Sequence, residues 1–338
     1  MLRGERRRER PGERDRARRF PGPALSFPFS VVIPSFERRG VLAEVLAALD
    51  AQREAPGFEI VVVDDGSRDG TVEWLRGVRL ERPFRLLEQP NRGPAAARNR
   101  GIQEATGEIV AILGDDTVPE PDWLAGHAAV HRRLGSGGEP ARVAVVGRID
   151  WHPRMRRTRF LDYINEHGLQ FGFALIEDRE NVPFNFFYTS NLSLARERLL
   201  EEPFDESFPD PAWEDIEAAV RLFRRGLRLV YEPRARLQHD HPTDFRRFCA
   251  RQERAGASAV RFARKHPELA GFLGIGPQGP PPPPAGLPQL RREWLVRALQ
   301  FLPVSLPGMW EEALRVHYLR GLERAWREGP TELERVES

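Results

Sequence analysis

Three short, β-branched apolar runs constrain this chain more than any other feature. Each ends in polar punctuation, and a segment of helical spacing separates each from the next. Phe29-Ser30-Val31-Val32-Ile33 runs into Pro34-Ser35-Phe36-Glu37, residues 58–63 run into Asp64-Asp65-Gly66-Ser67, and residues 108–113 close on Gly114-Asp115-Asp116-Thr117. Runs that are apolar throughout, rather than alternating, belong to strands covered on both faces, as in parallel sheets. Between them, apolar residues at 41, 42, 45, 46 and 49 have helical spacing. A short helix is expected over 71–76 and a strand over 84–88. Gly93-Pro94 opens a helix through Ala105, with proline at the favoured first position, and 121–134 reads as helix again. This alternation predicts an α/β domain with a mostly parallel central sheet flanked by helices.

The second half is more mixed. Residues 143–149 read as a strand, 151–190 are aromatic, basic and irregular, and 213–225 form a helix stopped by Gly226. Two short strand-like pieces, 228–231 and 235–238, precede a helix over 244–265. Five consecutive prolines within 276–288 make a polyproline II spacer. Beyond them, 290–328 is amphipathic and carries Trp294, Trp310 and Trp326. The expected organisation is a disordered basic arm over 1–26, an α/β domain over 27–270, a proline-rich linker over 271–288 and a helical C-terminal appendage over 289–338. At roughly 150 residues per domain, 338 residues accord with two such units.

Composition removes several classes. The 52 basic and 50 acidic residues nearly cancel, so no global field argues for a nucleic-acid partner. Only Lys265 among the bases is a lysine. The single Cys249 excludes an internal disulfide framework and a cysteine-based zinc site. No run approaches about 18 uninterrupted apolar residues, as a transmembrane helix requires. The arginine-rich start has no apolar stretch behind it, unlike a secretory signal. The arm reads as a solvated tail or a mis-called start, or as a contact for anionic lipid or another polyanion. The expected location is cytoplasmic, with the inner face of the membrane as a peripheral site. The tryptophan-bearing C-terminal segment admits three readings: a membrane-surface contact, a helical hairpin covering the main domain, or a dimer interface. Oligomeric state is not legible.

In an open parallel sheet, ligands bind outside the carboxyl ends of the strands. Acidic residues converge there in this chain, without Gly-x-Gly-x-x-Gly or a Walker lysine, which argues against a dinucleotide site or P-loop. Carboxylates that would otherwise repel one another are explicable if they hold a hard divalent cation or bind sugar hydroxyls. A cation among carboxylates commonly has a phosphate on its far side, which points to a nucleoside-diphosphate substrate.

Val31-Val32-Ile33-Pro34-Ser35-Phe36-Glu37-Arg38, Val63-Asp64-Asp65-Gly66-Ser67, Ala97-Arg98-Asn99-Arg100-Gly101-Ile102 and Leu113-Gly114-Asp115-Asp116 occur in order. Downstream lie Thr189-Ser190-Asn191-Leu192-Ser193, Trp213-Glu214-Asp215 and Gln238-His239. This set, over about residues 28–265, resembles the family 2 glycosyltransferases of the GT-A fold. The resemblance implies an inverting enzyme that uses a nucleotide sugar with Mg²⁺ or Mn²⁺. It also implies roles for individual residues. Pro34, Phe36 and Glu37 would pack around the nucleoside base, Asp65 with Asp64 would hydrogen-bond it, and Arg98 would lie near the nucleotide. Asp115 and Asp116 match the later positions of the family's Asp-x-Asp motif, Asp116 as metal ligand and Asp115 toward ribose or donor sugar. Gly114 departs from the motif where its first aspartate often stands. Asp215 matches the catalytic base, with Glu214 beside it. His239 matches a histidine that completes the metal shell in some relatives, His241 is a weaker candidate, and Asn191 matches an asparagine near the acceptor.

A base is chemically required, because an inverting displacement removes a proton from the acceptor hydroxyl as the sugar arrives. The first turn of the 213–225 helix suits a carboxylate held as an anion. An imidazole ligand would favour Mn²⁺ over Mg²⁺. The acceptor would be an unidentified hydroxyl compound, with lipid-linked and polysaccharide acceptors both open. Two other readings stand beside this one. The first is a non-catalytic sugar-nucleotide-binding or assembly subunit, motivated by Gly114. The second is a nucleotidyltransferase, which would carry a glycine-rich, lysine-containing loop that Ser35 to Gly40 does not provide.

Overall fold

The computed structural model describes residues 28–135, 142–208, 211–284, 294 and 307–329. The basic arm at 1–26, the end of the proline-rich linker and most of 289–306 lie outside the described residues.

In chain order the elements are β1 (Phe29–Ser35), α1 (Arg39–Asp50), β2 (Phe58–Asp64), α2 (Thr71–Gly77), β3 (Phe84–Glu88), α3 (Pro94–Glu104), β4 (Ile109–Leu113), β5 (Thr117–Pro119), α4 (Trp123–Gly135) and β6 (Val143–Trp151). They continue with α5 (Arg159–Glu166), β7 (Asn191–Ala195), α6 (Arg196–Glu201), α7 (Glu214–Arg224), β8 (Arg228–His239), α8 (Phe245–Lys265) and α9 (Pro307–Glu328). The strands join one sheet in the order β3-β2-β1-β4-β7-β6-β8-β5. The β3-β2-β1-β4 block is parallel, as its unbroken apolar runs require, and β6 pairs parallel with β8. Antiparallel pairing enters where β7 is inserted between β4 and β6 and where β5 folds back on β8.

Periodicity does not reveal β7, because its polar residues face inward. Asn191 and Ser193 are both fully buried. Their side-chain oxygens are satisfied from α4: Trp123 Nε1 donates to Asn191 Oδ1 at 2.7 Å, and His131 Nε2 lies 2.8 Å from Ser193 Oγ. Buried polar groups survive only with such partners. The two strand pieces expected over 228–238 are one strand, whose register against β6 shifts between Gly147 and Arg148.

One apolar cluster covers each face of the sheet. A third lies at one end, where Phe160 of α5 meets Phe245, Phe248 and Trp310 edge-to-face at 5.4, 5.7 and 5.7 Å between ring centroids. Trp310 is fully buried, whereas Trp326 is 43% and Trp294 71% exposed. Helix α9 lies along α8 at very close approach. A Cβ on Gly256 would stand 2.0 Å from the Tyr318 carbonyl oxygen, and one on Gly321 would stand 1.9 Å from that of Glu253. Among the described residues no helix is long and apolar enough to cross a membrane.

Candidate active site

The carboxyl ends of β1, β2 and β4 form the cleft floor, and the β5–β8 pairing adds its far wall. Thr117 pairs with His239, and the Asp240 amide donates to the Asp116 carbonyl at 2.8 Å. A residue from the middle of the chain thereby meets the end of β8. His239 Nε2 lies 3.5 Å from Asp116 Oδ1, and His241 Nδ1 lies 3.0 Å from Asp116 Oδ2. Arg38 closes the group, 3.0 Å from His241 Nδ1 and 3.8 Å from Asp116 Oδ2. The His239 ring sits 5.6 Å from both Trp151 and His241, nearly parallel to the latter.

This donor set suits a divalent cation. One carboxylate and two imidazoles offer ligand atoms all within 4.8 Å of one another. His239 turns Nε2 toward Asp116, while its Nδ1 is buried without a hydrogen-bond partner. Burial alone would raise the Asp116 carboxyl, but the charges and hydrogen bonds of His239 and His241 hold it well below the usual carboxylate range. Asp115 behaves oppositely. Burial and the neighbouring Asp116 charge push it up to about 7, against Arg38 and the amide of Phe36, which donates to Asp115 Oδ2 at 3.2 Å.

Gly114 is shaped to this arrangement. A Cβ there would meet Thr117 Oγ1 at 3.2 Å, Asp116 Oδ1 at 3.3 Å and the Ser190 Cβ at 3.4 Å. A side chain there would require Thr117 and Asp116 to give way by a few tenths of an ångström.

On the opposite side of the cleft, Ser35 pairs in register with Asp64, which brings the β1 and β2 loops together. Asp64 is buried, and its Oδ1 accepts from the amides of Gly66 and Ser67 at 3.0 and 2.9 Å. Asp65 accepts from Gln89 Nε2 and from the Arg92 and Gly93 amides at 2.8–2.9 Å, which organises the loop entering α3. Pro34 lies within β1. Phe36 is 43% exposed and open to a planar ligand. Glu37 takes a left-handed conformation, φ 53°, with its amide donating to Ser67 Oγ at 2.8 Å. Arg98 is buried and donates to Glu214 Oε1 at 2.7 Å. The structure thus joins two site residues that the sequence separates, and gives Glu214 the task of fixing Arg98.

Asp215 is the second residue of α7. Ile216 donates its amide to Asp215 Oδ1 at 2.9 Å, and the Thr189 amide also contributes. Burial and the adjacent Glu214 charge push the Asp215 carboxyl up to about 7, against the opposing charge of Arg98. The preceding Trp213 has φ 71°, a strained value for an aromatic residue. It is held there by an indole hydrogen bond to the Ala255 carbonyl of α8 at 2.9 Å and by stacking on Phe262.

Asn191 is not brought to the cleft. Its amide is consumed beneath the sheet by Trp123, His127 and the Arg148 and Ala235 carbonyls. In the other direction, sequence reasoning missed Arg38 and Arg251, and it ranked His241 too low. Arg251 of α8 feels the charges of Asp215, Arg254, Asp116 and Glu214. Its only local signal is helical spacing.

A parallel half-sheet with an acidic cleft at its carboxyl edge, completed by an antiparallel return that carries histidines, defines a GT-A-type glycosyltransferase fold. The family profile described as glycosyl transferase family 2 matches residues 30–202, and the chain belongs to that family. The chain is 28% identical over 280 residues to validoxylamine A glucosyltransferase of Streptomyces hygroscopicus subsp. limoneus, covering 74% of this chain and 59% of that protein. It is 30% identical over 253 residues to the pre-mycofactocin glycosyltransferase of Mycobacterium tuberculosis, covering 73% and 50% respectively. It therefore spans only about half the length of these curated relatives. A solved mannosyltransferase from Pyrobaculum calidifontis, in complex with GDP-Man and Mn²⁺, shares the fold with a TM-score of 0.56 and 19% identity, covering 94% of this chain and 92% of that one.

Proposed function

We propose that this chain is an inverting glycosyltransferase that moves a sugar from a nucleoside-diphosphate donor to a hydroxyl acceptor, with Asp215 as base. The observation that carries the reading is the Asp116–His239–His241 cluster at the carboxyl edge of the sheet, whose ligand atoms all lie within 4.8 Å of one another. Asp116 is held as an anion by His239 and His241, while Asp215 is raised to about 7, and Arg251 feels both charges. Separated tuning of this kind is how one site divides charge binding from proton transfer.

Phe36, Glu37, Asp65 and the Arg98–Glu214 pair form the nucleoside side of the cleft. Asp116, His239 and His241 would hold the divalent cation, which supplies Lewis-acid stabilisation of the departing diphosphate. The two imidazoles favour Mn²⁺ over Mg²⁺, in keeping with the Mn²⁺ bound to the Pyrobaculum enzyme. Asp215 accepts the acceptor hydroxyl's proton as the new glycosidic bond forms on the face opposite the leaving diphosphate, so configuration inverts. Gly114 fits this reading because its missing side chain makes room for Asp116.

The test is Asp215→Asn, assayed across a panel of nucleotide sugars with Mn²⁺. Donor binding should persist while transfer falls by about 10²–10⁴-fold, the usual worth of a positioned base. Transfer near the wild-type rate would remove Asp215 from this role.

A further inference from the structure

Helix α7, which carries Asp215, opens on a residue chemically unsuited to its backbone. Trp213 lies in the left-handed region at φ 71° and ψ −11°, and its side chain does not cap the first turn. Elsewhere the chain uses the expected residues. The left-handed start of α2 is Gly70, at φ 84°, while α5 and α8 open on Thr158 and Asp244, whose side chains accept the Leu161 and Arg247 amides. An aromatic residue in the left-handed region is strained, and such strain persists only where surrounding contacts over-determine it.

Those contacts include two from α8. The Trp213 indole Nε1 donates to the Ala255 carbonyl at 2.9 Å, and its ring stacks on the fully buried Phe262 at 5.8 Å between centroids, with the planes 19° apart. Phe272 meets the ring edge-on at 6.2 Å. The Ala255 carbonyl is a firm anchor, because the next residue is where α9 crosses. A Cβ on Gly256 would stand 2.0 Å from the Tyr318 carbonyl oxygen and 3.0 Å from the Leu322 nitrogen.

On its other side Trp213 is two residues from Asp215. Its carbonyl accepts the Glu217 amide at 2.8 Å, which opens the hydrogen-bond ladder of α7. The Asp215 carboxylate leans on the same turn, its Oδ1 accepting from the Ile216 amide at 2.9 Å. The direction of the carboxylate therefore follows from how α7 starts, and Trp213 sets that start. A packing role alone would be met by a large apolar side chain on an ordinary backbone. It requires neither the left-handed tryptophan nor an N–H committed to a helix carbonyl.

We propose that Trp213 is a positioning residue: pinned to α8 through its indole, it holds the turn into α7 and thereby aims the Asp215 carboxylate at the acceptor hydroxyl. The use of that aim rests on the reading of Asp215 as base, whereas the pinning does not.

The experiment joins a spectroscopic and a kinetic readout on the full chain. With ¹⁵N-isoleucine label at pH 8, the Ile216 amide reports the carboxylate it donates to. Trp213→Phe keeps an aromatic ring and removes the N–H donor. It should move the Ile216 resonance, while those of Ile33 and Ile112, buried in β1 and β4, stay in place and show an intact fold. Phe262→Leu removes the stacking partner from the α8 side and should move the same resonance, so the result does not depend on one variant folding. The kinetic readout is nucleoside-diphosphate release from UDP-Glc or GDP-Man with Mn²⁺. Trp213→Phe should lower kcat about tenfold or more, with donor KM kept within about twofold, since small misplacements of a reacting group cost on that order. In an Asp215→Asn background the same substitution should cost nothing further, because residues that act as a unit are not additive. A tryptophan that only packs would give equal losses in both backgrounds. Equal losses, or an unmoved Ile216 resonance, would overturn the proposal. Failure of the base reading looks different: Asp215→Asn would react at the wild-type rate while the Ile216 resonance still moved in Trp213→Phe.

Discussion

At Asp215 two demands on a proton acceptor meet. It must lose solvent to be basic near neutrality, yet remain able to ionise. Burial beside Glu214 supplies the first, and the Arg98 charge with the Ile216 and Thr189 amides supplies the second. With the carboxyl raised to about 7, kcat/KM should fall about tenfold per pH unit below that point, measurable from a rate profile across pH 5–9. A flat acid limb would dissociate Asp215 from the chemistry. The sign for stability is opposite. Between the ordinary 3.8 and about 7, the folded state binds this proton more tightly than the unfolded state does, so stability falls as pH rises through that window. Asp215→Asn should melt at or above the wild-type temperature at pH 8, and a clear drop would contradict the burial argument. Gly114 supports a second expectation. Gly114→Asp places new atoms against Asp116 Oδ1 and should weaken Mn²⁺ binding about tenfold in a calorimetric titration, whereas unchanged affinity would show that the glycine is incidental. The carboxylates at the strand ends were legible in the sequence as chemistry-bearing residues. Their distinct ionisation was not, because it depends on neighbours such as His241 and Arg98 that lie far away along the chain.

Among the elements, α4 and β7 show how local pattern can mislead. Asn191 and Ser193 occupy core positions because α4 presents Trp123, His127 and His131 to them, with His127 Nδ1 also 2.8 Å from Ser193 Oγ. Burial pushes His127 down to about 4 and His131, also beside His127, down to about 3. Both are neutral in the folded protein but protonate in the unfolded chain near 6.5, so stability falls as pH drops from about 6.5 toward 4. Each histidine contributes a slope of up to about 1.4 kcal/mol per pH unit. Urea midpoints measured along this range should show a shallower slope for His131→Leu than for wild type. Parallel slopes would mean that the pair is not buried neutral. An asparagine in a recurrent motif therefore reads as a ligand contact in sequence and serves as a polar rivet in the fold. Only the helix that covers it distinguishes the two.

For the whole molecule, the C-terminal helix is the element whose packing bears most on stability. Trp310, Leu314 and Leu322 of α9 are buried, and the Gly256–Gly321 crossing brings α9 against the helix that anchors Trp213. Gly321→Val forces the two backbones apart and should lower the melting temperature markedly, since overpacking commonly costs about 1–3 kcal/mol and here the obstruction is backbone. Trp310→Ala should cost about 3–5 kcal/mol by opening the aromatic cluster. If either variant melts like wild type, α9 is not part of the catalytic unit's core.

By itself the sequence determined the α/β class, the buried parallel block and the acidic strand ends, because periods of 2 and 3.6 and the run of apolar residues are local properties of the chain. Tertiary structure alone decided which ends meet. Thr117 pairing with His239 builds the Asp116 cluster, the α4 cover buries Asn191, and the α8–α9 crossing brings the C-terminal helix against the helix that anchors Trp213. Each depends on hydrogen-bond register or helix contact between segments far apart along the chain, and no local pattern encodes that pairing.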